Sequence, residues 1–207
     1  MPMSSGQLPP AALWKSNNMK RIAIFASGSG TNFEALVTAC ETGKINGKVV
    51  LLVCDKKKAF VVERAKNHGI DSFVFSVKNY ETKEAYEAQI VEKLKEYQID
   101  LICLAGYMRM CGNTLLESYE GKIVNIHPAL LPAFKGAHAI YDAYVYGVKV
   151  FGVTVHFIDH EMDCGTIIAQ RAFEYTEGQT LEEVEAKIHE IEHELYPEVV
   201  RKLCEGE

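Results

Sequence analysis

RIAIFASGSGTN, residues 21–32, decides the fold. Arg21–Ala26 is an apolar run of strand length. Ser27-Gly28-Ser29-Gly30 is a turn composition, and a helical stretch runs from Asn32 to Glu41. Strand, tight glycine turn and helix in that order open a β-α-β unit. Glycines let the backbone turn sharply and present N–H groups. The helix N-terminus adds the positive end of its dipole, and the hydroxyls add donors. The loop therefore reads as an anion site, most naturally for phosphate. It is not a P-loop, because no Gly-Lys-Ser/Thr follows, and Phe33 stands where a dinucleotide fingerprint needs its third glycine. Asp55, after the next strand, is placed like a ribose-binding acid, so a nicotinamide dinucleotide is an alternative ligand; a plain capped turn is another.

Outward from this unit the alternation continues. Lys48–Cys54 reads as a strand, Phe60–Asn67 as a helix and Ser72–Phe75 as a short strand. Thr82–Tyr97 carries a helical stripe of Ala85, Tyr86, Ile90, Val91 and Leu94. Leu101–Ala105 is continuously apolar, as a sheet covered on both faces requires, and Lys122–Ile126 is another strand. The last third differs. Phe151–Ile158 and Thr166–Tyr175 suit an antiparallel hairpin, and a long helix from Leu181 to Cys204 starts at Thr180, with Glu183 as its capping-box partner. The expected fold is α/β: a mostly parallel, Rossmann-like sheet with helices on both faces, finished by a C-terminal antiparallel hairpin and long helix.

The chain has 207 residues, 48% hydrophobic and 24% charged, enough to bury a core without metal or disulfide. Residues 1–18, rich in Pro, Ser, Gly and Asn, read as a flexible extension, with a binding segment at Leu13-Trp14 as the sharper alternative. Residues 19–207 read as one domain, with a phosphate-binding half over about 19–120 and a catalytic half over about 121–207. A net charge of −6 argues against a nucleic-acid partner. No apolar run is long enough to span a membrane, and no secretory signal is evident. Six cysteines without a CxxC pair fit reduced thiols of a cytoplasmic protein. Lys56-Lys57-Lys58 reads as a solvated turn.

Three further stretches bear on chemistry. In Asn125-Ile126-His127-Pro128, positions i and i+2 of a strand share a face, so Asn125 and His127 project together at the carboxyl end of a buried strand. An amide beside an imidazole suits a carbonyl that becomes an oxyanion; a satisfied strand-end histidine is the plain alternative. The hairpin loop Asp159–Gly165 holds three carboxylates in five positions, Asp159, Glu161 and Asp163. Alone it reads as a solvated acidic turn, but a carboxylate brought beside His127 would hold the imidazole protonated at neutral pH. His189-Glu190-Ile191-Glu192-His193 matches HExxH. A zinc site needs a further ligand, and Glu194 and Glu198 lie on or near the same helix, so no metal is expected.

Loop, Asn-Ile-His-Pro and acidic hairpin together resemble the phosphoribosylglycinamide formyltransferases, folate-dependent enzymes of purine biosynthesis in the formyltransferase superfamily. The resemblance runs from Met19 to about residue 204, through IAIFASGSGTN, LICLAGYMRM, IVNIHPALLPAF, GVTVHFIDHEMDCGTII and IHEIEHELYP. It implies transfer of a formyl group from 10-formyltetrahydrofolate to the amine of glycinamide ribonucleotide. It implies that Asn125, His127 and Asp163 are catalytic, and that Gly30, Thr31 and Asn32 hold the substrate phosphate. His189, Glu190, Ile191 and Glu192 would reach the same substrate, Glu192 nearest. Lys83, Met108, Arg109, Met110, Cys111 and Asn125 would contact the folate, with Asp159, His160, Glu161, Met162 and Asp163 as its other wall. Ala133–His138 departs from the family's usual Pro-Gly step, so His138 is left outside the expected site. Both partners are small molecules, and the protein is expected to be a monomer or homodimer. Rival readings are a formyltetrahydrofolate hydrolase on the same scaffold, a methionyl-tRNA formyltransferase, a nicotinamide-dependent oxidoreductase and a non-catalytic phosphometabolite-binding module.

Overall fold

The computed structural model describes residues 19–206. The extension expected over residues 1–18 lies outside the described residues. The strands are β1 (Lys20–Phe25), β2 (Gly47–Cys54), β3 (Asp71–Val74), β4 (Leu101–Leu104), β5 (Ile123–His127), β6 (Val150–Phe157) and β7 (Ile167–Glu174). They form one sheet in the order β3-β2-β1-β4-β5-β6-β7. The first five strands pair in parallel, and β6 and β7 add antiparallel at one edge. The helices are α1 (Thr31–Glu41), α2 (Phe60–Asn67), α3 (Lys83–Glu96), α4 (Asn113–Ser118), α5 (Ala139–Tyr146) and α6 (Leu181–Glu205).

Strand alternation builds the core. Ile22 and Ile24 of β1 and Leu101 and Cys103 of β4 face one apolar cluster with α1, α2 and α6. Ala23, Phe25, Ile102 and Leu104 face a second cluster with α3 and α4. Both faces of the central strands are thus covered, which is why they read as unbroken apolar runs. On α6, Tyr196 is fully buried and its hydroxyl donates to the carbonyls of Leu104 (2.9 Å) and Val124 (3.1 Å). That contact ties the long helix to the carboxyl end of β4 and to the start of β5. The capping box at Thr180 forms as the sequence implies.

The chain leaves β1 towards β2 and β3, then returns to add β4 and β5 on the other side. The crevice between β1 and β4 is therefore the topological switch point, where open α/β sheets bind ligands. Two helices were not foreseen. α4 has six residues, too few to show a period. α5 leaves Tyr141, Val145 and Tyr146 exposed, which blurs its apolar stripe. All six cysteines are unpaired. No helix among the described residues is long and apolar enough to cross a membrane.

Candidate active site

A cleft of about 460 Å³ opens at the switch point, within the range of small-molecule sites. Its floor is the carboxyl end of β5. Asn125 and His127 both line it, as strand alternation predicts. His127 is 4% exposed, and its Nε2–H donates to the Phe134 carbonyl at 2.8 Å. Its Nδ1 faces Asp163 Oδ2 at 3.5 Å. Both ring nitrogens thus face oxygen atoms. The 3.5 Å gap exceeds an ordinary hydrogen bond.

Asp163 reaches this point from the loop between β6 and β7 by local backbone geometry. Its φ is +53°, a conformation Asp tolerates better than most residues. Two residues on, a Cβ at Gly165 would lie 1.8 Å from the Phe157 carbonyl oxygen, so only glycine lets the loop fold back this closely. The Gly136 N–H donates to Asp163 Oδ2 at 2.8 Å and fixes the carboxylate.

Sequence reasoning missed His156. It sits on β6 directly opposite Asn125 and is 1% exposed. Its Nδ1–H donates to the Phe157 carbonyl, which leaves Nε2 as an acceptor for the Asn125 amide at 3.2 Å. Burial holds its pKa below the usual histidine range, keeping the ring neutral as that acceptor role requires. His156 therefore orients the Asn125 amide so that its second N–H can face the cleft. The available signal was a histidine in an otherwise apolar buried strand, GVTVHFI.

Across the cleft lies the turn after β1. Gly30, with φ +77°, precedes α1, whose first-turn N–H groups have no partner within the helix. Ser29, Gly30, Thr31 and Asn32 line the cleft. The Asn32 side chain reaches α6: one N–H of its Nδ2 donates to Glu192 Oε2 at 3.0 Å. Its Oδ1 is buried without a hydrogen-bond partner, an acceptor suited to a substrate N–H or O–H. His189 Nδ1 donates to the same Glu192 oxygen at 2.9 Å, and that bond raises the His189 pKa.

Other expected contacts fall outside the cleft. Glu190 is exposed and paired with Lys187, while Ile191 packs in the core. Lys83 lies 4.0 Å from Glu87 and does not line the cleft. His160 contacts Asn113 instead. Met108, Arg109, Met110 and Cys111 do line it, as do Asp159, Glu161 and Met162. Met108, Met110 and Met162 are exposed at the mouth, an apolar, adaptable surface. Asp55, the residue read as a possible ribose-binding acid, is buried and already engaged. Its carboxylate accepts from Ser27 Oγ (2.6 Å) and Arg109 Nε (2.9 Å). His189 and His193 stack with ring centroids 6.4 Å apart. Among the described residues no group of three or more His, Cys, Asp or Glu side chains converges as a metal-ligand set.

An amide and an imidazole that can hold a developing oxyanion, with a carboxylate to handle protons, suit transfer of a carbonyl-carbon group. The family described as formyl transferase matches residues 20–200, and the chain belongs to that family. Within it the likeness is to the phosphoribosylglycinamide formyltransferases. The protein of that name from Bacillus subtilis (strain 168) is 52% identical over 185 residues, 89% of this chain and 95% of the relative. The glycinamide ribonucleotide transformylase 1 structure from Geobacillus kaustophilus matches with a TM-score of 0.89 and 55% identity, over 90% of this chain and 100% of that one. Its counterpart from Symbiobacterium toebii gives a TM-score of 0.89 at 40% identity, over 98% and 94%.

Proposed function

We propose that Asn125, His127 and Asp163 carry the transfer of a formyl group from 10-formyltetrahydrofolate to the amine of glycinamide ribonucleotide, a step of de novo purine biosynthesis. The observation that carries this reading is the convergence of the three side chains on one cleft, between a phosphate-type turn and a methionine-rich wall.

The attacking amine must be neutral, and an α-amino group that titrates near 8 is partly so at neutral pH. Attack on the formyl carbon pushes charge onto its oxygen. The free N–H of Asn125 holds that oxygen together with the Nδ1–H of His127, which its loose 3.5 Å contact with Asp163 leaves available; Nε2 is committed to Phe134. One such donor contributes about 3–4 kcal/mol to the barrier reduction. Asp163, beside the His127 ring, takes the proton leaving the amine, through water, for delivery to the departing nitrogen of the folate. No covalent enzyme intermediate is needed, so positioning of two substrates supplies much of the remainder.

The backbone N–H groups at Gly30 to Asn32 hold the phosphate. Asn32 Oδ1 and the Glu192 carboxylate accept from the sugar or amide of the same substrate. Asn32→Ala is expected to raise KM for glycinamide ribonucleotide by about tenfold while the KM for the folate stays near wild type. Steady-state kinetics with each substrate varied checks this, and an unchanged KM for the ribonucleotide moves that contact elsewhere. His156→Ala, which frees the Asn125 amide to rotate, is expected to lower kcat by about ten- to a hundredfold with both KM values near wild type. Wild-type turnover in this variant would remove the orienting role. The reaction itself is tested by incubating the protein with both substrates and seeking the formylated ribonucleotide by mass spectrometry; its absence would sink the assignment.

A further inference from the structure

One buried carboxylate plays no part in the transfer chemistry. Glu87 on α3 is 2% exposed. Burying a carboxylate is costly unless hydrogen bonds compensate it. Here the Gly112 N–H donates to Oε1 at 2.6 Å, and the Lys83 ammonium lies 4.0 Å away. Gly112 is the N-cap of α4 and has no side chain to cap with. A carboxylate from α3 therefore does the capping. A Cβ at position 112 would lie 2.8 Å from Glu87 Oε2, so any larger residue there crowds the cap and pushes the carboxylate aside.

What leads into this cap is the segment Tyr107–Cys111, the methionine-bearing wall of the cleft. Its upstream end is tied down separately. The Met108 N–H donates to Ser27 Oγ at 3.0 Å, and Arg109 Nε donates to Asp55 Oδ2 at 2.9 Å. The wall is thus held at both ends by buried carboxylates from neighbouring elements, Asp55 upstream and Glu87 downstream. The upstream clamp also touches the turn after β1, through Ser27. The downstream clamp joins α3 to the wall and α4.

We propose that Glu87 is a positioning residue for the formyl donor: by capping α4 it fixes the wall formed by Tyr107–Cys111, and donor binding depends on it while binding of the phosphorylated amine does not. This rests on the reading of that wall as the folate side of the cleft. Lys83 then acts through Glu87, which accounts for its position outside the cleft.

The test compares Glu87→Gln, which keeps an acceptor oxygen, with Glu87→Leu, which has none. Glu87→Leu is expected to raise KM for 10-formyltetrahydrofolate by about tenfold, with KM for glycinamide ribonucleotide within about twofold of wild type. Glu87→Gln is expected to restore most of the donor affinity. Gly112→Ala, which crowds the same cap, should follow the leucine variant and serves if that one does not fold. An unchanged donor KM in Glu87→Leu, or equal rises in both KM values, overturns the proposal. The double variant Met108→Ala, Met110→Ala separates the two readings. If it leaves the donor KM unchanged, the wall is not the folate side. If it raises that KM and Glu87→Leu does not, only the positioning role fails.

Discussion

Replacing His127 by alanine lowers kcat by at least about a hundredfold, the scale set by losing a positioned proton donor or one oxyanion contact. The ring is 4% exposed and bridges the Phe134 carbonyl and the Asp163 carboxylate. Removing it leaves the Phe134 carbonyl without that partner, a cost of about 1–3 kcal/mol. A domain with about 5–15 kcal/mol of stability survives such a loss. The variant should therefore fold, bind both substrates and turn over slowly. Steady-state kinetics beside a thermal melt checks all three, and turnover within about tenfold of wild type would remove His127 from the chemistry.

Asp163→Asn isolates charge from shape. Asn matches Asp in shape and, like it, tolerates φ +53°. Its amide oxygen can still accept from Gly136, so the loop keeps its anchor. What disappears is the negative charge 3.5 Å from His127 Nδ1 and the site that takes up a proton. The expected result is a kcat at least about a hundredfold lower with both KM values near wild type. Loss of affinity at full kcat would instead assign Asp163 to ground-state binding.

The parts of the fold that are readable in the sequence have two causes, burial and spacing. Central strands such as Leu101–Leu104 are buried on both faces, so their apolar runs survive in the sequence without ambiguity. The antiparallel pair β6 and β7 was equally visible from spacing. α4 and α5 were not: one is too short and the other carries exposed apolar side chains, so neither shows an amphipathic period.

The site divides in the same way. Asn125 and His127 share a strand face by period alone. Placing Asp163 against them needed a tertiary turn that the Asp-Cys-Gly stretch permits but does not announce. Along α6 the expectation ran His189 to Glu192 as one block, whereas a helix presents i and i+3 together and turns the residues between them away. His189 and Glu192 accordingly reach the cleft, Glu190 meets Lys187 and Ile191 enters the core. Glu87 was invisible as a site residue because its partner is a backbone N–H, which leaves no mark in composition.

The most direct measurement follows a carbon-13 formyl label on 10-formyltetrahydrofolate by NMR, with and without glycinamide ribonucleotide. With the acceptor, the label should move quantitatively to the glycinamide nitrogen; without it, the donor signal should persist. Label appearing as free formate at the same rate in both samples would mean that water, not the amine, is the acceptor held in this cleft.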